Sequence, residues 1–271
     1  MRSEIFIRLG FFLGIFALMA LWDLVAPRRM LSMSKKSRWA GNLVLVCLNP
    51  ISVRLIFPLL PVSMAILAGE RHWGLLNNID MPYWSKVAVG AILLDLALYL
   101  QHVLHHAVPL LWRLHMVHHS DLDFDVTTGL RFHPFEIIVS MGIKLAAVAA
   151  LGPPAPTVLI FEVALNAASM FNHGNVYLPP GIDRVLRLFV VTPEMHRVHH
   201  SAIIRETNSN FGFSLPWWDR LLGTYCGQPA KGHEGMTIGV AHLRDPARLT
   251  LPRLIVMPFV EDAGRVAISR H

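Results

Sequence analysis

Cysteine is nearly absent from this chain: two in 271 residues, Cys47 in an apolar stretch and Cys226 in a glycine-containing one. That excludes a disulfide framework and a C-x-x-C metal site, so any metal must be held by other residues. Charge is also scarce. Charged residues make up 15% of the chain against 54% hydrophobic, with a mean hydropathy of +0.46, far from the balance of a soluble domain. The formal net charge of +6 does not point to nucleic acid, because Arg28, Arg29, Lys35, Lys36 and Arg38 cluster beside apolar runs. Anionic lipid headgroups are the better partner. Low-complexity linkers and long internal repeats are missing too.

What is present is a set of apolar runs of membrane-crossing length, roughly 20 residues. Ile5 to Val25 resembles a signal peptide but is long and followed by more positive charge than precedes it, so a retained first span is expected. The positive-inside rule puts the Arg28 to Arg38 loop in the cytoplasm and the N-terminus outside. A second run, Leu43 to Ala68, carries Arg54, Pro50, Pro58 and Pro61 and is expected to be kinked. After Gly69 to Pro82 a third run, Trp84 to Leu104, returns inward. Ile137–Leu151 and Val158–Phe171, broken by Gly152-Pro153-Pro154-Ala155-Pro156, predict a hairpin of short helices. This topology brings every histidine run to one face.

There are 15 histidines, and most lie in three short runs. His102 and His106, at i and i+4, share a helix face. His115, His118 and His119 form H-x-x-H-H, in which the first shares a face with both others while those two fan apart, an arrangement suited to two metals. His196, His199 and His200 repeat it within a second copy of H-x-V-H-H-S. Imidazole suits Zn, Fe, Cu and Ni, and eight such ligands exceed one ion's needs. His173, at the end of an apolar run, is a ninth candidate. His105 points about 100° away from His106 and is left out. The isolated His72, His233 and His242 are expected in loops or at the surface, without a role.

With these residues in view, Asp95 to Tyr225 resembles the fatty acid hydroxylase/sterol desaturase superfamily of membrane di-iron enzymes. The resemblance rests on Asp95-x-x-x-Tyr99-x-x-His102-x-x-x-His106, Leu111-Trp112-Arg113-x-His115-x-x-His118-His119-Ser120, Arg131-x-His133-Pro134-x-Glu136 and Thr192-Pro193-Glu194-Met195-His196-Arg197-Val198-His199-His200. Asn210-Phe211-Gly212 and Trp217-Trp218-Asp219-Arg220-Leu221-Leu222-Gly223-Thr224-Tyr225 are also similar. Val103 departs from the arginine common after the first histidine, without disturbing ligand spacing.

The resemblance implies an all-α integral membrane protein of about four to five membrane-embedded helices, with a cytosolic histidine-rich cap holding a di-metal site. It implies His102, His106, His115, His118, His119, His196, His199 and His200, with His173, as ligands of two non-haem irons. O2 is the implied co-substrate, in hydroxylation or desaturation of a lipid. His133 is open between ligand and structural clamp. Glu136, Asp95 and Asp219 are the candidate catalytic carboxylates; with Asp121 and Glu194 they are also candidates to orient ligand rings, against simple caps or ion pairs. No G-x-G-x-x-G, C-x-x-C-H or fused carrier domain is visible, so electrons are expected from a separate ferredoxin, rubredoxin or cytochrome-type donor. Residues 1–82 are read as membrane spans and loops, 83–228 as catalytic domain and 229–271 as a cytosolic tail, in a bacterial inner membrane. A histidine-based Zn or Fe transporter and a silent lipid-binding protein are the alternatives; the former needs polar groups near mid-membrane.

Overall fold

The computed structural model describes residues 2–264; Met1 and the last seven residues of the expected tail lie outside them. The described residues form α-helices and short 3-10 turns with two isolated β-bridges and no strand. The long helices are α1 (Arg2–Val25), α2 (Lys35–Ile56), α3 (Pro61–Glu70), α4 (Tyr83–Ala107), α5 (Pro109–His119), α6 (Pro134–Leu151) and α7 (Ala155–Asn172). Short ones follow: α8 (Pro180–Leu186), α9 (Pro193–His199), α10 (Ile204–Thr207), α11 (Trp217–Leu221), α12 (Gly232–Gly235) and α13 (Leu251–Val260).

Five segments are long and apolar enough to cross a membrane: Glu4–Val25, Lys35–Asn77, Tyr83–Ala107, Pro134–Leu151 and Ala155–Asn172. In the second, Pro50 is absorbed inside α2 and the break falls at 57–60, around Pro58, before Pro61 opens α3. Proline suits the first turn of a helix, where its missing N–H costs nothing. The expected hairpin is α6 and α7. It turns at Gly152, which caps α6 in the left-handed region at φ 61°; a Cβ there would come within 2.4 Å of the Trp73 carbonyl. Inside the bundle Glu162 accepts from Arg8 at 2.7 Å and from Lys144 at 3.0 Å, pinning α1, α6 and α7 together.

The other end is a polar cap. Arg38, at the start of α2, is buried and donates to both Asp121 oxygens at 2.8 Å and to Asp125 at 2.6 Å. Arg131 donates to the Val117 carbonyl at 2.9 Å and to Ser120 Oγ at 2.9 Å, fixing the end of α5. Arg28 pairs with Glu194 at 2.9 Å, and Arg29 donates to the Met236 carbonyl at 2.9 Å. Three arginines expected at lipid headgroups, buried Arg38 and half-buried Arg28 and Arg29, therefore hold the cap to the bundle instead; for Arg38 burial is tolerable only because its guanidinium is paired. Residues beyond 228 do not hang free as a tail: Val240, Leu243, Leu249, Leu254 and Met257 pack with Leu45, Trp112 and Met116 in one buried cluster.

Candidate metal centre

Each H-x-V-H-H-S copy closes a helix. In α5, His115 and His119 are one turn apart on one face, while His118 lies about 60° to the other side of His115, at 100° per residue; α9 repeats this with His196, His199 and His200. The structure gathers His102, His106, His115, His119 and His199 into one buried group and His118, His173, His196 and His200 into another, with candidate ligand nitrogens in each within 4.8 Å of one another. Each repeat contributes to both groups, two rings to one and a single ring to the other. All nine sequence-predicted ligand candidates are brought together in this way.

The nitrogen spacings fit a metal. His102 Nε2 lies 3.1 Å from His115 Nε2, His196 Nε2 3.1 Å from His173 Nε2, and His173 Nε2 3.2 Å from His118 Nε2. Two imidazole nitrogens bound at right angles to one ion at about 2.1 Å stand about 3.0 Å apart. The Nε2 atoms of His106, His119 and His199, and both ring nitrogens of His200, are buried without a hydrogen-bond partner, an arrangement that costs free energy unless something binds there.

The outer nitrogens are tied down, as for metal-bound rings. The Nδ1 atoms of His102, His173 and His199 donate to the carbonyls of Phe211 at 2.8 Å, Ser169 at 2.8 Å and Ser209 at 2.7 Å. His115 Nδ1 pairs with Glu136 Oε1 at 2.7 Å, and His106 Nδ1 with Asn208 Oδ1 at 3.2 Å. Burial holds His173 and His199 down at about 3. It also takes His115, His118, His119, His196 and His200 well below the ordinary imidazole value, with neighbouring histidines adding to the effect. These rings are neutral at pH 7, the form that binds metal.

The carboxylates separate by position. Glu136 contacts a histidine of the larger group directly. Asp219 instead accepts from the Phe211 and Gly212 amides, both at 2.8 Å, and burial raises it to about 6 despite those bonds. Asp95 accepts from Trp218 Nε1 at 2.8 Å. Both brace the 211–218 loop whose Phe211 carbonyl holds His102. Asp121 serves Arg38, and Glu194 serves Arg28, Arg197 and His233. His133 is the N-cap of α6: its Nδ1 accepts from the Phe135 amide at 3.2 Å and its Nε2 donates to the Ile255 carbonyl at 3.0 Å, leaving no nitrogen for a metal. His105 lies outside both groups and donates through Nδ1 to the Gln101 carbonyl at 2.8 Å. His233 is a correction: expected in a loop or at the surface, it is buried, 2.9 Å from Glu194, a contact that no local pattern encodes. Sequence reasoning also missed Asn208, Ser169 and Ser209, whose role as ring anchors depends on tertiary proximity.

The fatty acid hydroxylase family model matches residues 87–224, a range that contains all nine histidines. The chain belongs to the fatty acid hydroxylase family. An ornithine lipid hydroxylase of Rhizobium tropici is 33% identical over 148 residues, 55% of this chain and 44% of that one. Human alkylglycerol monooxygenase is 29% identical over 162 residues, 58% of this chain and 34% of that one. Rat cholesterol 25-hydroxylase is 28% identical over 142 residues, covering 52% and 46% respectively. The chain thus spans less than half the length of these relatives. No solved structure matches.

Proposed function

We propose that this fatty acid hydroxylase family member is an O2-dependent lipid hydroxylase with two irons, one held by His102, His106, His115, His119 and His199 and the other by His118, His173, His196 and His200. The observation that carries the reading is the division of nine buried imidazoles into two adjoining groups. Their nitrogen spacings suit one ion each. Bound there, two irons would supply reduction of O2 and oxidation of an unactivated C–H bond. The overall balance is RH + O2 + 2 e⁻ + 2 H⁺ → ROH + H2O, so a ferredoxin, rubredoxin or cytochrome-type donor must deliver two electrons. Hydroxylation is preferred to desaturation because the relatives' names are those of hydroxylases and monooxygenases.

The chain's own contribution is positional. Glu136 accepts the His115 N–H and the Phe211 carbonyl accepts that of His102, which fixes both rings and their tautomers. The buried aromatic rings of Phe211 and Phe124 pack on the histidines, 5.1 Å from His106 and His200 respectively, and exclude water. A transporter is disfavoured because the histidines sit at helix ends and in the cap, not at the middle of broken spans.

The reading is tested in membranes of a host expressing the wild type or His199→Ala under 18O2, with an added reductant and donor. A lipid bearing one 18O atom, present in the wild type and missing from the variant, is expected. Unlabelled lipid in iron-loaded wild type contradicts the reading. The cap is proposed to face the cytoplasm of a bacterial inner membrane, since Lys35, Lys36 and their neighbouring arginines flank one side of the first two spans. Reporter fusions near Gly69 and at His271 should then report opposite sides.

A further inference from the structure

Outside the five spans, the surface of α8, residues 188–190 and α11 is strongly apolar. Val185, Leu188, Phe189, Trp217, Leu221 and Leu222 are all exposed, Leu221 at 73%. The two stretches make one surface. Trp217 Nε1 donates to the Leu188 carbonyl at 2.7 Å, and Arg220 Nη2 to the Arg187 carbonyl at 3.2 Å. Their acidic side chains, Asp183 and Asp219, are buried, whereas Arg184 and Arg220 are exposed.

The depth of this surface follows from α4. Asp95 precedes His102 by seven residues, which places it about 10 Å nearer mid-span, and about 18 Å from either helix end, at 1.5 Å per residue. Asp95 Oδ2 accepts from Trp218 Nε1 at 2.8 Å and from the Leu215 amide N–H at 3.3 Å. The start of α11 is therefore fastened beside the middle of a spanning helix, and only seven residues separate the end of α7 from the start of α8. A surface at that depth meets acyl chains, not water.

We infer that the α8 and α11 surface is immersed in the leaflet on the histidine side, with its apolar residues among the upper acyl chains and Arg184 and Arg220 reaching anionic phosphates. At seven and five residues, the two helices are far shorter than a hydropathy window, so no sequence scan for spans marks them. Exposed arginines without an exposed carboxylate complement an anionic bilayer surface. The inference rests on the membrane-embedded fold and not on the lipid-oxidation reading, so either can fail alone.

The test uses the full chain in phosphatidylglycerol-containing nanodiscs, with Cys47→Ser and Cys226→Ser and one bimane-labelled cysteine at Leu188 or Leu221. Controls are Leu18, exposed on α1, and Lys231, exposed in the cap. Labels at Leu188 and Leu221 are expected to be quenched by lipids carrying a nitroxide near the headgroup, as at Leu18, and to be protected about threefold or more from aqueous iodide relative to Lys231. Iodide access equal to Lys231 without lipid quenching overturns the inference. Protection from both quenchers also overturns it, because a protein would then cover the surface.

Discussion

The two histidine groups use the same hexapeptide twice and differ in what a third element adds. To the three rings each receives from the repeats, α4 adds two, His102 and His106, making five, whereas the end of α7 adds one, His173, making four. The larger group also has a carboxylate, Glu136, on one ring, while His173 is held by the carbonyl of Ser169. One pattern at i, i+3 and i+4 therefore builds two unequal histidine groups, and the inequality predicts unequal tolerance to loss.

The largest effect is expected for His200→Ala, which leaves three nitrogens in the smaller group. It should lose about one of two irons and lower product formation by more than the roughly 10 to 100-fold typical of losing a ring-orienting partner. His115→Ala leaves four nitrogens and should retain more iron; metal analysis at matched expression checks the order, and equal iron loss would break the asymmetry. Glu136→Gln should keep both ions and slow turnover by roughly 10 to 100-fold, because it weakens only the bond that orients His115. A variant of normal turnover would remove Glu136 from the account.

Acid should act on the metal-free chain. Unfolded histidines take up protons below about 6.5, while buried His173 and His199 resist to about 3. The unfolded state thus binds more protons across that window, and folding stability should fall as pH drops from about 6.5. Melting of the iron-free protein between pH 7.5 and pH 5 reads this, and a midpoint rising on acidification would contradict it. The smallest effect is expected for His233→Ala, which removes a buried partner of Glu194 outside both groups. It should cost about 1–2 kcal/mol, read as a lower melting midpoint, with iron content unchanged.

Much of this was legible in the sequence because it is local. Helical spacing alone brings His102 to His106 and splits each H-x-x-H-H in two directions, and apolar run length marks the spans. What was not legible depends on distant partners. Arg38 reads as a lipid-facing charge until Asp121 and Asp125 are seen against it. Asp95 and Asp219 read as chemical groups until they are seen bracing the 211–218 loop. The 251–260 stretch reads as tail until its apolar face meets Trp112.

Nine imidazoles are proposed to hold two ions of one kind. Anaerobic purification with iron, followed by elemental analysis and Mössbauer spectroscopy of the 57Fe protein, tests this most directly. Two irons per chain are expected, in non-identical sites of similar abundance, with the signal of the four-nitrogen site disappearing first in His200→Ala. One iron or none per chain in protein that still forms oxidised lipid would contradict the proposal.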